Sequence, residues 1–138
     1  MIYQLTYNEL LTNLSVMKVK IDTREKFHVI TILEKELSAN MSVNLERYVK
    51  PFLDANVKNV IVSLAEVENI ENDFAKSLVN LQQEFYENNA SFVICCLPKA
   101  AEFQLDQDGI LEVMNLTPTE SEAWDIVQLE EIERELLN

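Results

Sequence analysis

Asn59-Val60-Ile61-Val62-Ser63-Leu64 is the stretch that decides the fold. A short apolar run without alternation is the mark of a central strand covered on both faces. Phe92-Val93-Ile94-Cys95-Cys96-Leu97 reads the same way. Between the two runs, residues 73–87 place Phe74, Leu78, Leu81 and Phe85 at i, i+4, i+7 and i+11, which is one face of a helix. Strand, helix, strand in this order predicts two adjacent parallel inner strands.

Upstream, Met17, Val19 and Ile21 alternate with Lys18, Lys20 and Asp22, the pattern of a half-exposed strand. A turn through Thr23-Arg24-Glu25 leads to Phe27-His28-Val29-Ile30-Thr31-Ile32-Leu33, a more buried, β-branched strand. So short a connection permits only an antiparallel hairpin. Residues 42–55 have helical spacing through Leu45, Val49, Phe52 and Leu53, with Ser42 or Asn40 as cap and Pro51 weakening the last turn.

Downstream, Pro98 ends the second inner strand and Ala100–Leu105 forms a short helix. Asp108-Gly109 is a turn. Leu116 lies near a short last strand, and Thr119-Glu120-Ser121-Glu122 matches a capping box for a helix reaching about Leu137. That helix is expected to turn Ile126, Leu129, Ile132 and Leu136 inward and to carry Glu130–Arg134 as a surface pair. The order β-β-α-β-α-β-α-β-α implies an α/β fold with a mixed sheet of four to five strands, parallel in its later part, and about four helices. Residues 1–16 read as an N-terminal extension, with Leu10, Leu11 and Leu14 on one face of a short helix, and residues 17–138 as a single domain.

The chain has 138 residues, 48% of them apolar, enough for one domain with a real core. It carries 24 acidic residues against 11 basic, a net charge of −13. Such a field repels a phosphate backbone and an anionic membrane, so neither nucleic acid nor membrane is expected as a partner. The surplus serves solubility or the docking of a basic partner. No signal peptide or membrane-length apolar run is visible, and the two cysteines, Cys95 and Cys96, are adjacent within an apolar run. On a strand they point to opposite faces and read as small buried hydrophobes. A reducing cytoplasm is the expected location.

Chemical signatures are missing. The single histidine, His28, lies mid-strand between apolar neighbours and reads as structural, which leaves no multi-histidine zinc site. The single glycine excludes glycine-rich phosphate loops. There is no Gly-x-Ser-x-Gly elbow, and apolar surroundings disfavour a cysteine thiolate. No catalytic residue, metal or cofactor is expected.

From Met17 onward, about 120 residues, the chain resembles the STAS domain family of bacterial anti-sigma factor antagonists and sulfate-transporter tails. Three segments carry the resemblance: Val60-Ile61-Val62-Ser63-Leu64-Ala65-Glu66-Val67-Glu68-Asn69-Ile70; helix 73–87 with Ala90-Ser91 and the strand to Leu97; and Thr117-Pro118-Thr119-Glu120-Ser121-Glu122-Ala123 with its helix. The family usually has Asp-Ser-Ser-Gly before the strong helix, with a serine there phosphorylated by a partner kinase that is also the anti-sigma factor. Those positions fall on Glu71, Asn72, Asp73 and Phe74, so Asp73 replaces the serine and Phe74 the glycine. The resemblance implies a non-catalytic, bacterial protein-interaction domain in transcription regulation or signalling. Its expected docking surface is Glu68, Glu71, Asn72, Asp73 and Phe74. The alternative it leaves is a small-ligand sensor for a nucleotide or lipid, and self-association into a homodimer stays open. Asp73 reads either as an N-cap or as a fixed negative charge where relatives carry a phosphate. Phe74 reads either as a core residue on the Leu78 stripe or as an exposed anchor. Ser77, one turn further in, is not expected to replace the missing serine.

Overall fold

The computed structural model describes residues 16–137. Strands β1 (Val19–Thr23) and β2 (Phe27–Ile32) form the antiparallel hairpin, with Val19 opposite Ile32. Strands β4 (Asn59–Ser63), β6 (Phe92–Cys95) and β7 (Leu116–Thr117) follow β2 in parallel, giving the sheet order β1-β2-β4-β6-β7. Two short strands, β3 (Glu36–Leu37) and β5 (Asn69–Ile70), pair in parallel as a separate sheet. The helices are α1 (Ser42–Val49), α2 (Asn72–Glu87), α3 (Lys99–Gln107) and α4 (Glu120–Leu137). The expected extension lies outside the described residues apart from Val16.

Each inner strand feeds two cores. Val60, Val62, Phe92 and Ile94 join a larger core with residues of α1, α2 and α3, among them Leu45, Leu78, Phe85 and Leu105. Ile61, Val93 and Cys95 face the other way, onto Ala123 and Val127 of α4. This two-sided cover is why the inner strands show no alternation. The stripe Phe74, Leu78, Leu81 and Phe85 is buried as expected.

Pro51 has a larger effect than a weakened last turn. Helix α1 stops at Val49, and Lys50–Asp54 continue as a 3-10 turn with the proline at its start, where a missing N–H costs nothing. Neither expected cap forms there: Ser42 donates its hydroxyl to the Ala39 carbonyl at 2.8 Å, and Asn40 Oδ1 accepts from Ser38. His28 is structural. Its Nε2 donates to the Val57 carbonyl at 2.8 Å, so Nδ1 accepts from the Thr23 hydroxyl at 2.9 Å, and the ring stacks on Phe52. Thr119 does cap α4, accepting from the Glu122 amide at 3.2 Å. Gly109 turns the chain with φ +73°.

Helix α4 keeps one expected inward residue, Ile126, half-buried against the smaller core, and otherwise buries a different stripe from the expected one. Ala123 and Val127 are buried, whereas Leu129, Ile132 and Leu136 are 54%, 52% and 80% exposed. The inner stripe continues from Val127 through polar residues, which hides it from hydrophobic periodicity. Asn59, buried at the start of β4, makes this possible. Its Nδ2 donates to Glu131 Oε1 at 2.6 Å and to the Lys26 carbonyl at 3.0 Å, while its Oδ1 accepts from the Ser91 amide at 2.8 Å and from Arg134 at 3.4 Å. Arg134 also donates to the Ser91 hydroxyl, so it faces the sheet and does not form the expected pair with Glu130.

Cys95 is buried, but Cys96 is only half-buried, which corrects the reading of two equivalent buried cysteines. Burial first, and then the neighbouring Cys96, push the Cys95 thiol from its ordinary 9.0 up to about 12.

Leu78→Ala or Leu81→Ala is expected to cost about 2–5 kcal/mol in denaturant melts, and Leu136→Gln to stay within about 0.5 kcal/mol. The raised Cys95 value sets a second expectation. Its neutral thiol contributes stability that is fully present below pH 9.0 and is lost as the pH climbs toward about 12. Melts across that window should show a shallower decline for Cys95→Ala.

Candidate functional site

The connection from β4 to α2 leaves the sheet at the carboxyl end of a parallel strand, the edge where α/β sheets tend to bind. It is fixed mainly by backbone. The amides of Glu68 and Asn69 both donate to the Lys35 carbonyl, at 2.7 and 3.0 Å, and the Glu71 amide donates to the Leu37 carbonyl at 2.9 Å. Strands β3 and β5 pair within this zipper. The Glu71 carboxylate closes it by accepting from the Ala39 amide at 2.8 Å. On the other side, Asn72 Nδ2 donates to Asp108 Oδ2 at 2.6 Å, and Gln104 Nε2 donates to Asn72 Oδ1 at 3.1 Å, tying α3 to the first turn of α2.

Four of the five expected site residues reach this surface. Glu68, Glu71 and Asp73 are exposed, and Asn72 is half-buried between Gln104 and Asp108. Phe74 does not reach it. Its side chain is 0% exposed in the larger core, because its place on the Leu78–Phe85 stripe turns it inward, so the exposed-anchor reading is overturned.

Asp73 is not an N-cap either. The cap position is Glu71, with extended backbone at φ −71° and ψ 146° and no side-chain cap bond, which places Asp73 inside the first turn. Its carboxylate still meets the positive end of the helix dipole. Among the described residues, neither Glu68 nor Asp73 has a hydrogen-bond or ion-pair partner for its carboxylate. Ser77 is half-buried and gives its hydroxyl to the Asp73 carbonyl at 3.1 Å.

A pocket of about 310 Å³ beside the loop is lined by Glu36, Leu37, Ile70, Glu71 and Gln104 among others. Among the described residues, no cluster of three or more His, Cys, Asp or Glu is placed to hold a metal ion. Among them, too, no helix is long and apolar enough to cross a membrane. Sequence reasoning missed the β3–β5 zipper and the Gln104 and Asp108 tether. Two-residue strands have no periodicity to read, and nothing in a polar helix end names its partner.

A mixed five-stranded sheet with three helices on one face and one on the other is the α/β architecture of the anti-sigma factor antagonists. Residues 18–123 match the sequence profile of the STAS domain, and the chain belongs to that family. Similar solved structures include an anti-sigma factor antagonist from Mycobacterium paratuberculosis, 15% identical over 81% of this chain and 94% of that one, with a TM-score of 0.68. The anti-sigma factor antagonist SpoIIAA in its unphosphorylated form is 13% identical over 80% of this chain and 96% of that one, with a TM-score of 0.63. The murine Slc26a9 anion transporter matches 75% of this chain with 18% of its own, at 12% identity and a TM-score of 0.58. At these identities the likeness is one of fold. No curated protein matches the chain.

Asn72→Ala should cost about 0.5–1.5 kcal/mol by releasing the α3 tether. Asp73→Ser, at an exposed position without a cap bond, should change stability by less than about 0.5 kcal/mol. Paired chemical denaturation of the two variants measures both.

Proposed function

We propose that this STAS domain works by binding a protein partner at the Glu68–Asp73 loop, as a non-catalytic regulator of the anti-sigma factor antagonist kind. The observation that carries this reading is the loop itself. It is exposed at the carboxyl edge of the sheet, held rigid by backbone bonds, and carries two unpartnered carboxylates, Glu68 and Asp73. A rigid surface loses little freedom on binding, which favours affinity.

In this reading Asp73 stands where relatives carry the phosphorylated serine. A carboxylate holds one negative charge, against about −1.5 to −2 for phosphoserine with its three acceptor oxygens. The surface therefore keeps a weaker, permanent version of a charge that relatives switch. The partner is a basic regulator, of the anti-sigma factor or serine-kinase kind, in a bacterial cytoplasm. The two carboxylates beside the small pocket, Glu36 and Glu71, favour this reading over a nucleotide sensor, because they would face phosphate with like charge.

The test uses the protein that co-purifies with the tagged chain, titrated calorimetrically at low salt. Glu68→Lys should weaken binding about tenfold, a change of about 1.4 kcal/mol. Asp73→Ser should weaken it less, and the loss should shrink as salt is added. Glu71 is a poor test position, since its carboxylate also braces the loop. Affinity unchanged by both substitutions would place the docking surface elsewhere.

A further inference from the structure

Successive residues of β6 alternate between the two cores, Phe92 and Ile94 in the larger one, Val93 and Cys95 in the smaller one under α4. A regular strand would return Cys96 to the larger core. Instead Cys96 adopts φ +64°, a left-handed conformation that is unfavourable for a residue with a Cβ. Its side chain packs with Cys95 against the smaller core, and Leu97 then returns to the larger one. The reversal brings two adjacent thiols to one side of the sheet, against the same small core. Cys95 is buried between Ser63 and Thr117 of the neighbouring strands, and half-buried Cys96 is the one a reagent can reach.

We propose that Cys95 and Cys96 form a vicinal dithiol site that captures a thiophilic trivalent species of the arsenous class, R–As(OH)2. The geometry selects this class. Two thiols are a complete donor set for such an arsenical, whereas a structural zinc site takes four ligands. Among the described residues no group of three or more His, Cys, Asp or Glu supplies them.

Zinc also needs preformed thiolates, and burial keeps Cys95 protonated at neutral pH. An arsenous acid brings its own hydroxides. Each thiol proton leaves with one of them as water, so two As–S bonds form, two As–O bonds break, and nothing is oxidised or reduced. Cys96 makes the first bond, and Cys95 closes the chelate in an intramolecular step. That step is what a monothiol competitor cannot match.

The probe is phenylarsine oxide, hydrated in water to phenylarsonous acid, and the readout is intact-protein mass spectrometry of the folded chain. The expected product gains one phenylarsenic group and loses two hydrogens. It survives excess glutathione and is stripped by 2,3-dimercaptopropanol. Cys96→Gly should lose the glutathione-resistant adduct with no fall in Tm, since glycine takes φ +64° without steric cost. Cys95→Ala should keep only a single-thiol adduct that glutathione removes. The proposal is overturned if the parent protein holds no adduct in glutathione, if the adduct forms only after unfolding in urea, or if either variant retains a resistant adduct.

Discussion

The structure depends on the parallel pairing of β4 with β6, both strands buried on both faces. Two neighbouring parallel strands cannot be joined by a tight turn, so the chain must leave the sheet, cross it as a helix and return. Here α2 makes that crossing and covers one face with the Phe74–Phe85 stripe. The other face of the pair is then apolar as well and needs α4 over Ile61 and Val93. The crossover also fixes where the loop sits, since a chain leaving β4 must turn at its carboxyl end.

That turn holds the candidate site, and its rigidity comes from outside its own sequence. The segment Lys35–Ala39 supplies two carbonyls and one amide to it, and Gln104 of α3 and Asp108 just past its end supply the rest. With the backbone occupied in this way, Glu68 and Asp73 remain free to face solvent. The same economy explains Glu71, whose carboxylate is spent on the Ala39 amide while part of it remains exposed.

Helix α4 solves a different problem. Its upper half packs conventionally through Ala123 and Val127, and its lower half approaches the amino ends of β4 and β6, where backbone groups need partners. Asn59 satisfies the Ser91 amide and the Lys26 carbonyl and in turn holds Glu131 and Arg134. A buried amide with all its bonds met carries little penalty, whereas one left unpaired would be costly. The inward stripe is therefore polar where the outward one is apolar, the reverse of the usual amphipathic helix.

Much of the fold was legible in the chain. Continuous apolar runs, a helix of period 3.6 and a hairpin too short to cross over are local signals, each backed by burial of several residues. They determined the strands β1, β2, β4 and β6, the helix α2, the parallel inner pair and the location of the acidic loop. Tertiary structure alone decided the rest. It set the side of Phe74, because Phe74 is both the first residue of an apolar stripe and a neighbour of an exposed loop, and burial chose the stripe. It made Glu71 the cap position in place of Asp73, because the backbone enters the helix only after pairing with Leu37. It placed Cys96 beside Cys95 through one reversed dihedral that no composition or spacing encodes. Where many neighbouring side chains agree, sequence suffices; where one residue answers to a partner distant along the chain, only the folded arrangement supplies that partner.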